Sequence, residues 1–284
     1  MDITISKANF KAIIRTKGAE LISLKNSENT EFIWEGNPEF WGKHSPVLFP
    51  IVGTLKNNTY RYKNQSYHLS RHGFARDMEF DIVQKTEDTV IFCLKSSDET
   101  RKIYPFQFEL QLIYAISDLG LEIQYKVFNK STFDLPFSLG AHPAFALPGN
   151  FSDYAIEMEK DEKLQYNLLE HDLLSEQTGL LKLSNKKLDL NYKLFENDAL
   201  VFKNLESKAI TILHNTKPVL KICFQDFPNL GIWTKLNAPF ICIEPWFGYS
   251  DNANSNGSIL DKEGIQILKP GTDFIAKFQI KLFS

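Results

Sequence analysis

Apolar and polar residues alternate in short runs along most of this chain, the period-two pattern of strands with one buried and one exposed face. The runs Asp2 to Ile5, Glu31 to Trp34, Val90 to Leu94, Phe108 to Ala115, Leu121 to Phe128, Ala209 to Leu213, Lys221 to Phe224 and Phe274 to Leu282 show it most plainly. Turn signals separate them: Lys17-Gly18, Lys56-Asn57-Asn58, Asp118-Leu119-Gly120, Pro148-Gly149-Asn150 and Asn254-Ser255-Asn256-Gly257. Short strands at this spacing predict a mainly β fold, a large and mostly antiparallel β-sandwich. The stretch Leu164 to Leu188 departs from the rhythm. There Leu168, Leu169, Leu173 and Leu174 stand near helical spacing and Gly179 interrupts them, which predicts a loop with one short helix. No Pro-, Gly- or Ser-rich linker, long charge run or repeat divides the chain, so residues 1–284 are expected to form one domain.

Composition strengthens the strand reading, because aromatics make up 13% of the residues and favour half-buried pleated surfaces. With 284 residues, 43% of them apolar, the chain is long enough to bury a large core. A formal net charge of -3 gives no electrostatic reason to expect nucleic acid or an anionic membrane as partner, which directs attention to a small-molecule ligand. The opening MDITISKANF lacks the basic start and apolar run of a signal peptide, and no stretch reaches the roughly 18 apolar residues of a membrane span. Cys93, Cys223 and Cys242 are odd in number and suit neither a disulfide framework nor a zinc site. Buried thiols in a reducing cytoplasm are the expectation.

Four segments break the strand rhythm with Gly or Pro beside polar and aromatic residues: Trp41 to Gly53, Ser70 to Asp77, Ser138 to Pro148 and Ile243 to Asp251. In the second, Arg71, His72 and Arg76 surround Gly73, and arginine forks suit hydroxyl, carboxylate or phosphate oxygens. The same charges could simply be solvated at a strand end. In the third, His142 precedes Pro143 and is therefore biased to an extended backbone, and its imidazole could move a proton or sit satisfied in the core. In the fourth, Glu244 follows an apolar strand and precedes Pro245. Partial burial there would raise its pKa toward that of a general base, and Trp246, Phe247 and Tyr249 offer flat faces to a sugar. A surface Glu beside core aromatics remains the alternative. The set has no metal-ligand spacing, phosphate loop or nucleotide fingerprint, which favours proton transfer without a cofactor.

Taken in order, these segments resemble the aldose 1-epimerases, or galactose mutarotases. The likeness runs through Gly18-Ala19-Glu20-Leu21-Ile22-Ser23-Leu24, Phe32-Ile33-Trp34, Trp41, and Pro46-Val47-Leu48-Phe49-Pro50-Ile51-Val52-Gly53. It continues in His72-Gly73-Phe74, His142-Pro143 and Glu244-Pro245-Trp246. Each motif is short, and the specificity lies in their order across nearly the whole chain. The resemblance implies a sandwich with an open sugar cleft, Glu244 as base on the anomeric hydroxyl and His142 as acid on the ring oxygen. It also implies that His72 bonds the sugar near that oxygen and that Asp226, in Phe224-Gln225-Asp226-Phe227-Pro228, holds sugar hydroxyls. His72-Gly73-Phe74-Ala75-Arg76 is closer to the hexose-6-phosphate mutarotase and LacX-like branches than to the free-galactose enzymes. Arg71, Arg76 and Lys43 are then the candidates for a phosphate, although Lys43 stands where the phosphate branch carries arginine.

The expected activity is therefore interconversion of the α and β anomers of a hexose or hexose phosphate, by a monomer or homodimer. Two rivals stand beside it. One is a carbohydrate-binding protein that has lost turnover. The other is a glycoside hydrolase, which would need a second carboxylate facing Glu244, with Asp226 as the visible mate.

Overall fold

The computed structural model describes residues 1–283. Two large antiparallel sheets dominate it. In the first, nine strands run in the order Lys187–Asp189, Tyr154–Met158, Ala209–His214, Lys217–Cys223, Asp273–Leu282, Gly120–Asn129, Phe108–Ser117, Thr89–Lys95 and Asp81–Lys85. In the second, Leu173–Leu181, Leu164–Glu170, Leu200–Lys203, Asn229–Trp233, Phe240–Phe247, Leu139–Ala141 and Val47–Leu48 lie side by side. The short strand Ala144–Ala146 also pairs with Phe240–Phe247. A three-stranded sheet from Asp2–Lys7, Phe10–Arg15 and Glu20–Lys25 adds to the same core.

The alternation seen in the sequence is the packing pattern of the sandwich. Along Phe108–Ser117 every second residue, from Phe108 to Ile116, is buried. The sheets meet through aromatic side chains: Phe247 of the second lies 4.9 Å from Phe274 of the first, edge to face, and Phe227 bridges Phe247 and Phe278. Such geometry adds to the burial of the rings themselves.

Two expectations need correction. Glu31 to Trp34 makes only isolated bridges, at Glu31 and Ile33. The Glu31 carboxylate takes the backbone N–H of Leu24 at 2.8 Å and of Ile33 at 3.0 Å, donors a continuous ladder would have engaged. The stretch Leu164 to Leu188 is a β-hairpin with a further short strand, not a loop with a helix. His171 and Asp172 form its tip with φ of 51° and 66°, both in the left-handed region that two-residue hairpin turns require. Between the pairs Asn167–Thr178 and Leu169–Leu174 the register shifts, so that Leu168 alone faces Ser175 to Gln177, and the two extra residues break the alternation. Gly179 faces Tyr166 across this hairpin, and its missing side chain is the room the tyrosine ring occupies.

Candidate active site

Phe240–Phe247 is buried along its whole length, so its two faces see different surroundings. Ile241, Ile243 and Phe247 enter the main hydrophobic core. Phe240, Cys242, Glu244 and Trp246 take the other face, where Glu244 and Trp246 line a cavity of about 310 Å³. Glu244 thus lies inside the strand rather than just past its end. Pro245 is tolerated there because the neighbouring chain is interrupted opposite it. Leu139–Ala141 pairs with Trp246 and Phe247, Ala144–Ala146 pairs with Phe240 to Cys242, and His142-Pro143 spans the gap. The Ile243 N–H reaches Pro143 O at 3.3 Å on that side, and the N–H that Pro245 lacks would point the same way into the seam.

The seam brings His142 onto Glu244, with Nε2 and Oε2 3.2 Å apart. The approach is too poorly aligned for a hydrogen bond: His142 Nδ1 and Glu244 Oε2 both lack a hydrogen-bond partner among the described residues. Trp41 stacks on the His142 ring at 4.8 Å and 25°, Trp233 meets it edge-on at 6.0 Å, and Trp34 Nε1 holds the Trp41 carbonyl at 2.8 Å. The imidazole is therefore oriented by rings rather than by hydrogen bonds. Trp246 reaches the cavity over two glycines, Gly140 directly across from it and Gly231 across from Glu244. A Cβ on Gly140 or Gly231 would collide with the indole.

His72 lines the same cavity and has a φ of 69°. Its own N–H donates to Gly53 O at 2.8 Å, and Gly53 N–H donates back to His72 Nδ1 at 3.1 Å. Nδ1 is therefore the acceptor and the ring proton sits on Nε2. Arg71 Nε stands 3.3 Å from that Nε2, and two donors so placed do not bond. The His72 and His142 rings lie 5.7 Å apart, edge to face.

The structure brings Arg71, His72, Arg76, His142, Glu244 and Trp246 to one cavity. Arg71 Nη1 donates to Asp172 at 2.7 Å, and Arg76 Nη2 donates to the Arg71 carbonyl at 2.7 Å. Two predicted site residues fall outside. Lys43 pairs with Asp77 at 3.4 Å and does not line the cavity. Asp226 is exposed and accepts the Lys277 N–H at 2.9 Å, on the central strand Asp273–Leu282 just past the end of its pairing with Lys217–Cys223. Besides Glu244, the acidic residue that lines the cavity is Asp198, which no motif marked. It sits at φ 75° and accepts the Ala199 N–H at 2.6 Å, a local bond typical of Asp at the start of an apolar strand.

Burial sets the charge state of the pair. It drives His142 down to about 3, with Arg71 adding to the effect, and leaves the imidazole neutral. It pushes Glu244 well above the usual carboxylate range, against a pull from Arg71 in the other direction. His72 is likewise held neutral, by burial first and by His142 and the two arginines after it. His142, Cys242 and Glu244 offer ligand atoms within 4.8 Å of one another. Burial also keeps the Cys242 thiol protonated and it does not line the cavity, so this donor set suits a metal ion poorly.

The model of the aldose 1-epimerase family matches residues 1–267 of this chain. The chain belongs to that family. It is 33% identical over 285 residues to the plasmid-encoded protein LacX of Lactococcus lactis subsp. lactis, an alignment that covers 95% of each chain. A galactose mutarotase related enzyme from Lactobacillus acidophilus superposes with a TM-score of 0.95 at 36% identity, covering 100% of this chain and 98% of that one. An Escherichia coli (strain K12) protein whose name proposes a glucose-6-phosphate 1-epimerase is 23% identical over 264 residues, which covers 85% of this chain and 81% of that one. The mainly β architecture, with its multiple antiparallel sheets, is that of the galactose mutarotase-like structures.

Proposed function

We propose that this member of the family is a mutarotase that opens and recloses the ring of a hexose, with Glu244 and His142 as its acid–base pair. The observation that carries the reading is the 3.2 Å approach of two buried, unsatisfied, oppositely shifted groups at the wall of a sugar-sized cavity. A protein that only held sugars would have no use for a buried carboxyl without a partner, which is costly to fold.

The reaction needs one proton shared by the pair. Burial places it on Glu244 before a sugar binds. A sugar that offers its O1 hydroxyl to the carboxyl and its ring oxygen to the imidazole supplies the missing hydrogen bonds and draws the proton across to His142. Glu244, then a carboxylate near the Arg71 charge, takes the O1 proton while His142 protonates the ring oxygen, and the C1–O5 bond breaks to the open aldehyde. Rotation about C1–C2 and closure with the proton movements reversed give the other anomer. His72 Nε2–H is available to the same oxygen, and the Trp41 and Trp233 rings exclude water from the reacting face.

A hexose 6-phosphate is the second reading, supported by two arginines in the cavity wall and by the name of the Escherichia coli relative. Exchange of anomers measured by NMR on free hexoses and on their 6-phosphates tests both readings. No acceleration for any of them would remove the proposal.

A further inference from the structure

We infer that Asp172, through its pairing with Arg71, turns this site toward uncharged hexoses and against hexose 6-phosphates. The inference rests on the mutarotase reading and deepens it to a substrate class.

Arg71 belongs to two adjoining concavities. One is the cavity of His142 and Glu244, and the other is a wider hollow of about 560 Å³ whose lining includes Ser70, His171 and Asp172. The Arg71–Asp172 contact stands on the boundary between them. A phosphate on the sugar would be drawn to the two guanidinium groups in the wall, since paired N–H donors match its oxygens. Each group already commits one terminal N–H, although Arg76 Nε has no hydrogen-bond partner among the described residues. Arg71 gives Nη1 to the Asp172 carboxylate, and Arg76 gives Nη2 to the Arg71 carbonyl. Lys43, the third cation of the neighbourhood, is turned to Asp77 and lies off the cavity. Asp198 adds a second carboxylate to the lining. A dianion would therefore meet two cations that each have a carboxylate beside them, Asp172 at 2.7 Å from Arg71 and Asp77 at 3.7 Å from Arg76, whereas a neutral hydroxyl can bond to either member of the Arg71–Asp172 pair without opposition.

Asp172 cannot easily withdraw. It occupies the tip of the hairpin, between the paired residues Glu170 and Leu173, with φ 66° fixed by the two-residue turn. The turn also provides the test variant, since Asn adopts this backbone conformation at least as readily as Asp. Asp172→Asn removes the charge and keeps the turn.

The experiment compares wild type with Asp172→Asn on glucose and glucose 6-phosphate, reading anomer exchange by NMR and binding by calorimetric titration of the same two sugars. The expected result is that wild type prefers glucose. In Asp172→Asn the ratio of kcat/KM for glucose 6-phosphate over glucose should rise by about tenfold, mostly through KM, and the gain should shrink in high salt. A wild type that prefers the phosphate, or an unchanged ratio in the variant, overturns the inference. If both sugars bind and neither is turned over, the mutarotase reading fails and the calorimetric ratio decides the role of Asp172. If neither binds, both fall.

Discussion

His142 Nε2 and Glu244 Oε2 stand 3.2 Å apart because one strand, Phe240–Phe247, carries the carboxyl and also neighbours the chain segment that carries the imidazole. Neither group hydrogen-bonds the other. In the proposed mechanism they act as one proton-holding unit, so removing either should disable both. Glu244→Gln and His142→Asn should each lower kcat for anomer exchange by about 10²–10⁴-fold. The double variant should be no slower than the worse single one. Multiplicative losses in steady-state kinetics would mean that the two residues act independently.

The same unit sets the pH profile. Its working form holds one proton. It gains a second on the acid side as His142 titrates, and burial has moved that event down to about 3. It loses its proton on the alkaline side at a value raised with Glu244, well above the usual carboxylate range. The profile of kcat/KM should therefore show no loss as pH falls through 6.5, where an ordinary histidine would switch. A drop centred near that ordinary value would show that His142 is not desolvated in the working enzyme.

How much of this was legible in the sequence depended on how simply each element is buried. Phe108–Ser117 buries one face and declares itself by strict alternation. Phe240–Phe247 buries both faces and contains a proline, so its continuation through Glu244 was hidden although the motif itself stood out. The hairpin was obscured by the irregularity at Asn167 and Leu169. His72, His142 and Glu244 could be singled out because each lies in a short motif with Gly or Pro, and those motifs keep a family order. Asp198 carries no such mark: what makes it part of the cavity is a left-handed backbone and a long-range approach, and neither has a local signature. Asp226, flanked by Phe and Pro, had the sequence context without the position.

Stability should carry the trace of the buried carboxyl. Unfolded, Glu244 titrates near its ordinary 4.5, and folded it titrates higher. Between those values the folded state binds the extra proton, so this residue's contribution to stability falls as pH rises through the folded value. Glu244→Gln has no such dependence. Calorimetric melting should show the variant more stable than wild type at pH 8, with the gap closing toward pH 4. A variant less stable at pH 8 would contradict the burial account.

Lys262 supports the cavity from behind. Its ammonium lies 2.9 Å from Asp251 Oδ1 and 2.6 Å from Tyr249 O, with side-chain exposures of 2% and 4% for the ion pair. Asp251 Oδ2 also accepts the Lys56 N–H at 3.0 Å, which ties the wall segment of Tyr249 and Ser250 to its neighbour. Lys262→Met leaves a buried carboxylate without its cation and should destabilise the fold by about 3–5 kcal/mol in urea denaturation. Replacing Asp251 by Leu in the same chain should recover part of that loss. A single variant within about 1 kcal/mol of wild type would mean that the pair is not buried as described.

The central claim is proton transfer at C1 by Glu244 and His142, and pure α-glucose or α-galactose followed by polarimetry addresses it most directly. Wild type should bring the rotation to equilibrium far faster than buffer alone, and Glu244→Gln at the same concentration should lose nearly all of that acceleration. Full activity in Glu244→Gln, or a wild type no faster than buffer with sugars it demonstrably binds, would contradict it.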